Sequence, residues 1–375
     1  MTHSHIYLDN AATTAMTPSV IETMTKMMTT SFGNPSSTHS FGRQANQHLR
    51  AYRQVMAEAL GVPAHDIIFT SGATESNNYA IKGYALANQV KGKHLITTEI
   101  EHHSVLHTMA YLEKRFGFEV TYLKPKEGQI TAKMVKEALR DDTILVSIMY
   151  ANNETGDLLP IAEIGEILKD HQAVFHVDAV QAFGKVALRP RELKIDFLSA
   201  SAHKYHGPKG VGILFAKSHH MDNLFHGGEQ EEKRRASTEN MVGIAGMAQA
   251  TSDALLHLEE NYLKVEHLKK TFLTELGDVA YYINGSQKTM PYVLNIGFPK
   301  QSNHVLMTLL DLKGFAISIG SACTAGTIEP SHVLTSYYGA NSKRLSESIR
   351  ISFSDLNTPE EVTLLAQALK EIIGR

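Results

Sequence analysis

The sequence predicts an α/β fold: a large domain on a mainly parallel, seven-stranded sheet covered by helices, followed by a smaller α+β domain. Three observations carry this. From Ile67 onward, short apolar runs alternate with segments of helical spacing. Most of those runs lack in–out alternation, so both strand faces are expected to be buried, as in parallel sheets with helices on either side. Beyond Leu276 the pattern changes to shorter, mixed elements.

The elements follow in order. Ile6–Leu8 opens an extended segment that ends in small and polar residues. Thr17 and Pro18 start a helix as capping residue and first helical proline, with Ile21, Met24 and Met28 on one face. Ser31–Ser40 consists of turn formers and reads as a loop. Arg43–Leu60 resumes helical spacing through Leu49, Tyr52, Met56 and Leu60, and Gly61 stops it. The strands expected for the large sheet are Ile67–Thr70, His94–Thr98, Val120–Leu123, Thr143–Tyr150, Ala173–Val177, Ile195–Ala200 and Val211–Ala216. Phe225–Asn240 is polar, charged in both signs and long for a loop, and long loops are often functional. Met241–Leu276 reads as a long helical stretch broken once, linking the domains. Val279–Ile283, Val293–Phe298, Ala316–Ile319 and Ile349–Phe353 are expected strands, and Asn303–Leu312 a helix. Thr358-Pro359-Glu360-Glu361 is a capping box that starts a final helix. The domains are expected at 13–255, and at 1–12 with 256–375.

Composition narrows the class. The 375 residues are 43% hydrophobic and 20% charged, ordinary for a globular protein. A net charge of −3 gives no electrostatic case for nucleic acid. No apolar run approaches the roughly 20 residues of a membrane span, and no secretory pattern opens the chain. The single cysteine, Cys323, excludes an intrachain disulfide, so a cytoplasmic setting is expected. No histidine pair shows the His-Glu-x-x-His spacing or a cysteine partner, so no metal is expected to be required.

Ligands on such sheets bind beyond the carboxyl ends of the strands. Ser71-Gly72-Ala73-Thr74 follows the first run and opens a helix; it suits either a plain capping turn or an anion held by backbone N–H groups. His102, Asn153 and Asp178 follow later runs. Lys204 follows the next, between two core strands, among small residues and histidines. It is either a surface turn lysine or a desolvated amine of depressed pKa, the kind that forms Schiff bases. Polar residues of these types on one rim are hard to explain as core filling, because buried polar groups need partners. Cys323 lies in Ser318–Pro330, a glycine-containing segment without apolar periodicity, where an accessible thiol is a candidate nucleophile.

Taken in order, Tyr7–Thr14, Gly33–Ser37, Thr70–Asn78, Glu101-His102, His176–Gln181, Ala202-His203-Lys204, Gly207–Gly210 and Gly320–Cys323 resemble the cysteine desulfurases of the NifS/IscS type, class V members of the fold type I pyridoxal-phosphate enzymes. The resemblance spans essentially the whole chain. It implies a homodimer in which Lys204 binds pyridoxal 5'-phosphate covalently and Asp178 pairs with the pyridine nitrogen. Gln181 would bond the phenolic oxygen, and Ala73, Thr74, Ser201 and His203 would hold the phosphate with Thr238 of a second copy. His102 would stack on the ring and move protons, Asn153 would contact ring or substrate, and Asn34 and Arg350 would hold the substrate carboxylate. Cys323 would take sulfur from L-cysteine as a persulfide, leaving alanine, and pass it to an acceptor protein, either an iron–sulfur scaffold or a tRNA thiolation enzyme. A transient iron–sulfur ligand role for Cys323 is also implied. Glu229 and Glu232 depart from the family pattern in the polar loop, as does Ser352–Asp355 after Arg350. The alternatives are a class V aminotransferase, a selenocysteine lyase and a non-catalytic scaffold.

Overall fold

The computed structural model describes residues 5–217, 219–320 and 330–374. A two-stranded parallel pair joins β1 (Ile6–Tyr7) to β11 (Phe315–Ala316). The large sheet contains β2 (Ile67–Thr70), β3 (His94–Thr98), β4 (Glu119–Leu123), β5 (Thr143–Met149), β6 (Val174–Asp178), β7 (Phe197–Ser201) and β8 (Gly212–Ala216). Its strand order is β2-β8-β7-β6-β5-β3-β4. Neighbours from β7 through β4 run parallel, and β8 is antiparallel to both β7 and β2. β2, β3, β5, β6, β7 and β8 are buried along their whole length, which is why their sequences read as unbroken apolar runs.

β9 (Tyr282–Ile283), β10 (Val293–Gly297) and β12 (Ser348–Ser352) form a smaller antiparallel sheet in the order β12-β10-β9. One apolar cluster under it gathers Val265, Leu268 and Phe272 of helix Leu258–Leu276 with Val362, Leu365 and Leu369 of helix Pro359–Ile373. Ile6, Leu8 and Ala11 belong to that same cluster, and the Asn10 N–H donates to the Ser352 carbonyl. The long helical stretch breaks once, at His257, between Met241–Leu256 and Leu258–Leu276. Thr358 and Glu361 form the expected capping box.

Helix Pro18–Thr30 differs from expectation in the face it buries. Val20 and Met27 are buried, whereas Ile21 and Met28 are 48% and 59% exposed. The helix packs on Met241–Leu256, and this tertiary partner, not the apolar count, selects the face. Thr17 occupies the cap position without capping, its hydroxyl pairing with Ser19 instead. Helix Ser40–Leu60 starts three residues before the expected Arg43, where the His39 ring accepts from the Gly42 N–H. No helix among the described residues is long and apolar enough to cross a membrane.

Candidate active site

A cavity of about 340 Å³ opens at the carboxyl ends of β2, β5, β6 and β7. That volume is of ligand size. Ala73, Thr74, His102, Asn153, Asp178, Gln181, Ser201, His203, Lys204 and Arg350 all line it. Asn34 and Thr238 do not line this cavity in their own chain. Asn34 is exposed, its side-chain oxygen accepting from the Ser36 N–H. Thr238, also exposed, lines a neighbouring cavity of about 180 Å³ with Ser71 and Gly210. Cys323 lies outside the described residues.

Lys204 stands on the short turn Ala202–Lys204 after β7, and its Nζ donates to the carbonyls of Ala11 at 2.7 Å and Ala12 at 2.9 Å. The amino-terminal segment therefore closes one side of the site. The Ala11 carbonyl also accepts from Gln181 Nε2 at 3.0 Å. Gln181 Oε1 in turn accepts from Lys185 Nζ at 3.1 Å. Lys185 is 6% exposed, and burial, with Lys204 as a neighbouring cation, pulls its amine down to about 7. Because a carbonyl only accepts, the Ala11 carbonyl fixes the Gln181 amide one way round, with Nε2 toward Ala11 and Oε1 toward Lys185.

Asp178 ends β6. One carboxylate oxygen accepts from the Val180 N–H and the other from Asn77 Nδ2 at 2.8 Å. Asn77 Nδ2 also donates to Ser104 Oγ at 2.9 Å, and Ser104 Oγ meets His102 Nδ1 at 2.8 Å. Burial pulls the His102 ring below its ordinary pKa, partly opposed by Asp178. Behind it, Glu101 is fully buried; Oε1 accepts from the Met149 N–H and the Thr98 hydroxyl, Oε2 has no hydrogen-bond partner among the described residues, and burial pushes the carboxyl up to about 8.

At the other end lies the turn Ser71–Thr74. Gly72 has φ +146°, and a Cβ on Gly212 of the adjacent β8 would sit 2.8 Å from the Gly72 Cα. Two glycines thus let the turn lie against the sheet. Glu75, one turn in, accepts from the Ser71 N–H and takes a two-pronged pair with Arg235 at 2.8 and 3.0 Å. Burial alone would raise its carboxyl, but Arg235 and Ser71 outweigh this and hold it below its ordinary value. The polar loop is consequently not a free surface strand of chain. Glu231, 6% exposed and at φ +49°, binds Arg53 through both oxygens and accepts from the Phe69 N–H of β2. His203 is held down to about 4 by burial and by the cations Lys204, Lys209 and Lys185.

Arg350, on β12, is 1% exposed. Its Nη2 pairs with Asp9 at 2.7 Å and its Nη1 donates to the Asn153 carbonyl at 3.0 Å. Its Nε is buried without a hydrogen-bond partner among the described residues. The cavity thus has an amine, an aligned carboxylate, a glycine-lined turn opening a helix and a buried guanidinium. These are the groups an aldehyde-bearing pyridine phosphate requires, and the donor set fits pyridoxal 5'-phosphate.

The aminotransferase class-V family model matches residues 6–365, and the chain belongs to that family. Within it the chain is of the NifS/IscS type. It is 49% identical over 375 residues to a putative cysteine desulfurase IscS 1 of Bacillus subtilis, covering 99% of each. It is 45% identical to a cysteine desulfurase IscS of Methanosarcina thermophila, covering 99% of this chain and 92% of that one. Among solved structures, a NifS-like protein superposes with a TM-score of 0.92 at 36% identity, covering 99% of both chains. A structure of SspA in complex with cysteine superposes with a TM-score of 0.84 at 34% identity, covering 94% of this chain and all of that one.

Sequence reasoning missed Asn77, Ser104, Lys185 and Arg235. The first two lie inside or beside motifs already singled out, so their polar character at a strand rim was the available signal. Lys185 and Arg235 had none, since a lysine and an arginine in polar turns normally face water.

Proposed function

We propose that this chain is a pyridoxal-phosphate-dependent cysteine desulfurase, which converts L-cysteine to L-alanine and carries the sulfur as a persulfide on Cys323. The observation that supports this best is one cavity lined by Lys204, Asp178, His102 and Arg350 together. Lys204 would hold the cofactor, Asp178 its ring nitrogen, Gln181 its phenolic oxygen, and Ala73, Thr74, Ser201 and His203 its phosphate. Bound there, the cofactor supplies an electron sink that loosens the α-proton and then the sulfur of the amino acid. Arg350 orients the substrate carboxylate through its planar fork. Lys204 moves the α-proton at Nζ, and Cys323, as thiolate, attacks the sulfur.

The acceptor is a second protein, an iron–sulfur scaffold or a tRNA thiolation enzyme. Asn34 and Thr238 would act on the cavity of a second copy. Phe32 and Phe41 support a homodimer: their tilted rings lie 5.1 Å apart while 79% and 52% exposed, on either side of Asn34 in the chain. The chain would divide at 13–255, with 1–12 joining 256–375.

The test is turnover of L-cysteine with a thiol reductant. Alanine and sulfide should appear in equal amounts, and Cys323→Ala should keep the cofactor's visible absorption while losing sulfide. A keto acid in place of alanine would move the reading to an aminotransferase. Full sulfide release by Cys323→Ala would remove the role given to the thiol.

A further inference from the structure

His102 is the cap of helix His103–Phe116, a position more often held by Ser, Thr, Asp or Asn. Its cap acceptor is the ring nitrogen Nδ1, which takes the Ser104 N–H at 3.1 Å. A backbone N–H can only donate, so Nδ1 must present a lone pair. The Ser104 hydroxyl points the same way. It accepts from Asn77 Nδ2, which leaves its own proton for His102 Nδ1 at 2.8 Å. Asn77 is itself fixed, because the same Nδ2 donates to Asp178 at 2.8 Å. Asn77 is fully buried and Ser104 is 9% exposed, so neither is free to turn toward water.

We propose that Ser104 and Asn77 are positioning residues that hold His102 as its Nε2–H tautomer, so that the ring works in the site as a neutral imidazole rather than as an imidazolium. To gain a second proton, Nδ1 would have to give up both donors. The helix N-terminus also carries partial positive charge and opposes a cation there. The charged neighbours agree in balance. Lys204, His332 and His107 disfavour a charged ring and Asp178 favours one, with burial deciding against the charge. A neutral ring capped in this way can stack on a cofactor and still offer one N–H, as a helix-capped neutral histidine does in other enzymes. The chain Asp178–Asn77–Ser104–His102 thereby ties two residues of the site into one unit, so that displacing the carboxylate also disturbs the ring.

The relevance to catalysis rests on the desulfurase reading, whereas the tautomer does not, and the experiment separates them. The full chain, labelled with 15N-histidine, is measured by long-range 1H–15N NMR as purified and again after removal of pyridoxal phosphate. His102 is assigned by the signals lost in His102→Gln. The expected result is a protonated Nε2 and a bare Nδ1 throughout about pH 6 to 8, the range in which an ordinary histidine titrates. A proton on Nδ1, or an imidazolium in that range, overturns the proposal whatever reaction the enzyme performs. Ser104→Ala, which removes one donor to Nδ1, should lower the Nε2–H to Nδ1–H ratio about tenfold. Ser104→Thr should restore it, which a merely structural role for the side chain does not require. An unchanged ratio in Ser104→Ala overturns the part given to Ser104. If that variant does not fold, the wild-type spectrum and Ser104→Thr still decide.

Discussion

Glu101→Gln should remove one component of this protein's pH-dependent stability between acid and neutral pH, the component that falls as pH rises. The Glu101 carboxyl is fully buried and is pushed from 4.5 up to about 8, chiefly by that burial and further by the Asp178 charge. The native state therefore keeps a proton that the unfolded chain gives up above 4.5. Between these values the native state binds more protons, so stability falls as pH rises, by about 1.4 kcal/mol per pH unit. From about pH 5.5 to 7.5 this group alone removes about 3 kcal/mol. Unfolding entropy of about 2.1 cal/mol/K per residue over 375 residues turns that into a Tm difference of about 3–4 °C. Glutamine cannot titrate, so the variant should lack this component. Its amide would place N–H groups where Oε2 has no partner, a cost of about 1–3 kcal/mol at every pH. The offset is thus a packing effect and the slope is the test. Thermal scans of both cofactor-free proteins at a fixed rate, across that pH range, supply it. Parallel Tm curves would show that Glu101 is ionised at neutral pH and refute the reasoning.

Three other outcomes are expected. Arg350→Lys keeps the charge but loses the planar fork that pairs with Asp9 and the Asn153 carbonyl, so the KM for cysteine should rise at least about tenfold with a smaller change in kcat. Lys185→Met should be relatively most stable below about pH 7, where the native lysine is charged and buried; as pH climbs from 7 toward 10.5 the wild type should gain on it, because the unfolded lysine then holds the extra proton. Thermal scans at about pH 6 and 9 would show this, and a constant gap would contradict it. Arg235→Ala leaves the Glu75 carboxylate without its counter-charge beside the Ser71 turn, and absorption titration should show pyridoxal phosphate binding weakened by about tenfold or more.

These residues also mark where the sequence was legible. Strands β2 and β3 and helix Asn303–Leu312 fall where apolar runs and turn residues put them, because period and caps are local signals. The rim carrying His102, Asn153, Asp178 and Lys204 was legible for the same reason, since a polar residue directly after a buried strand needs no knowledge of its neighbours. Their individual roles came from the family resemblance. Partner choice is different. Asn77 and Asp178 are 101 positions apart and meet only because the helix after β2 lies over the end of β6. Glu231 sits in a run of charges that reads as solvated, yet it is buried, because Arg53 and the Phe69 N–H together replace the water it loses. The same closure explains the first helix. Its apolar residues cover more than one face, and only the arrival of Met241–Leu256 decides that Val20 and Met27 turn inward while Ile21 and Met28 stay exposed. Composition records which residues can be buried, and the order of the strands determines which of them find partners there.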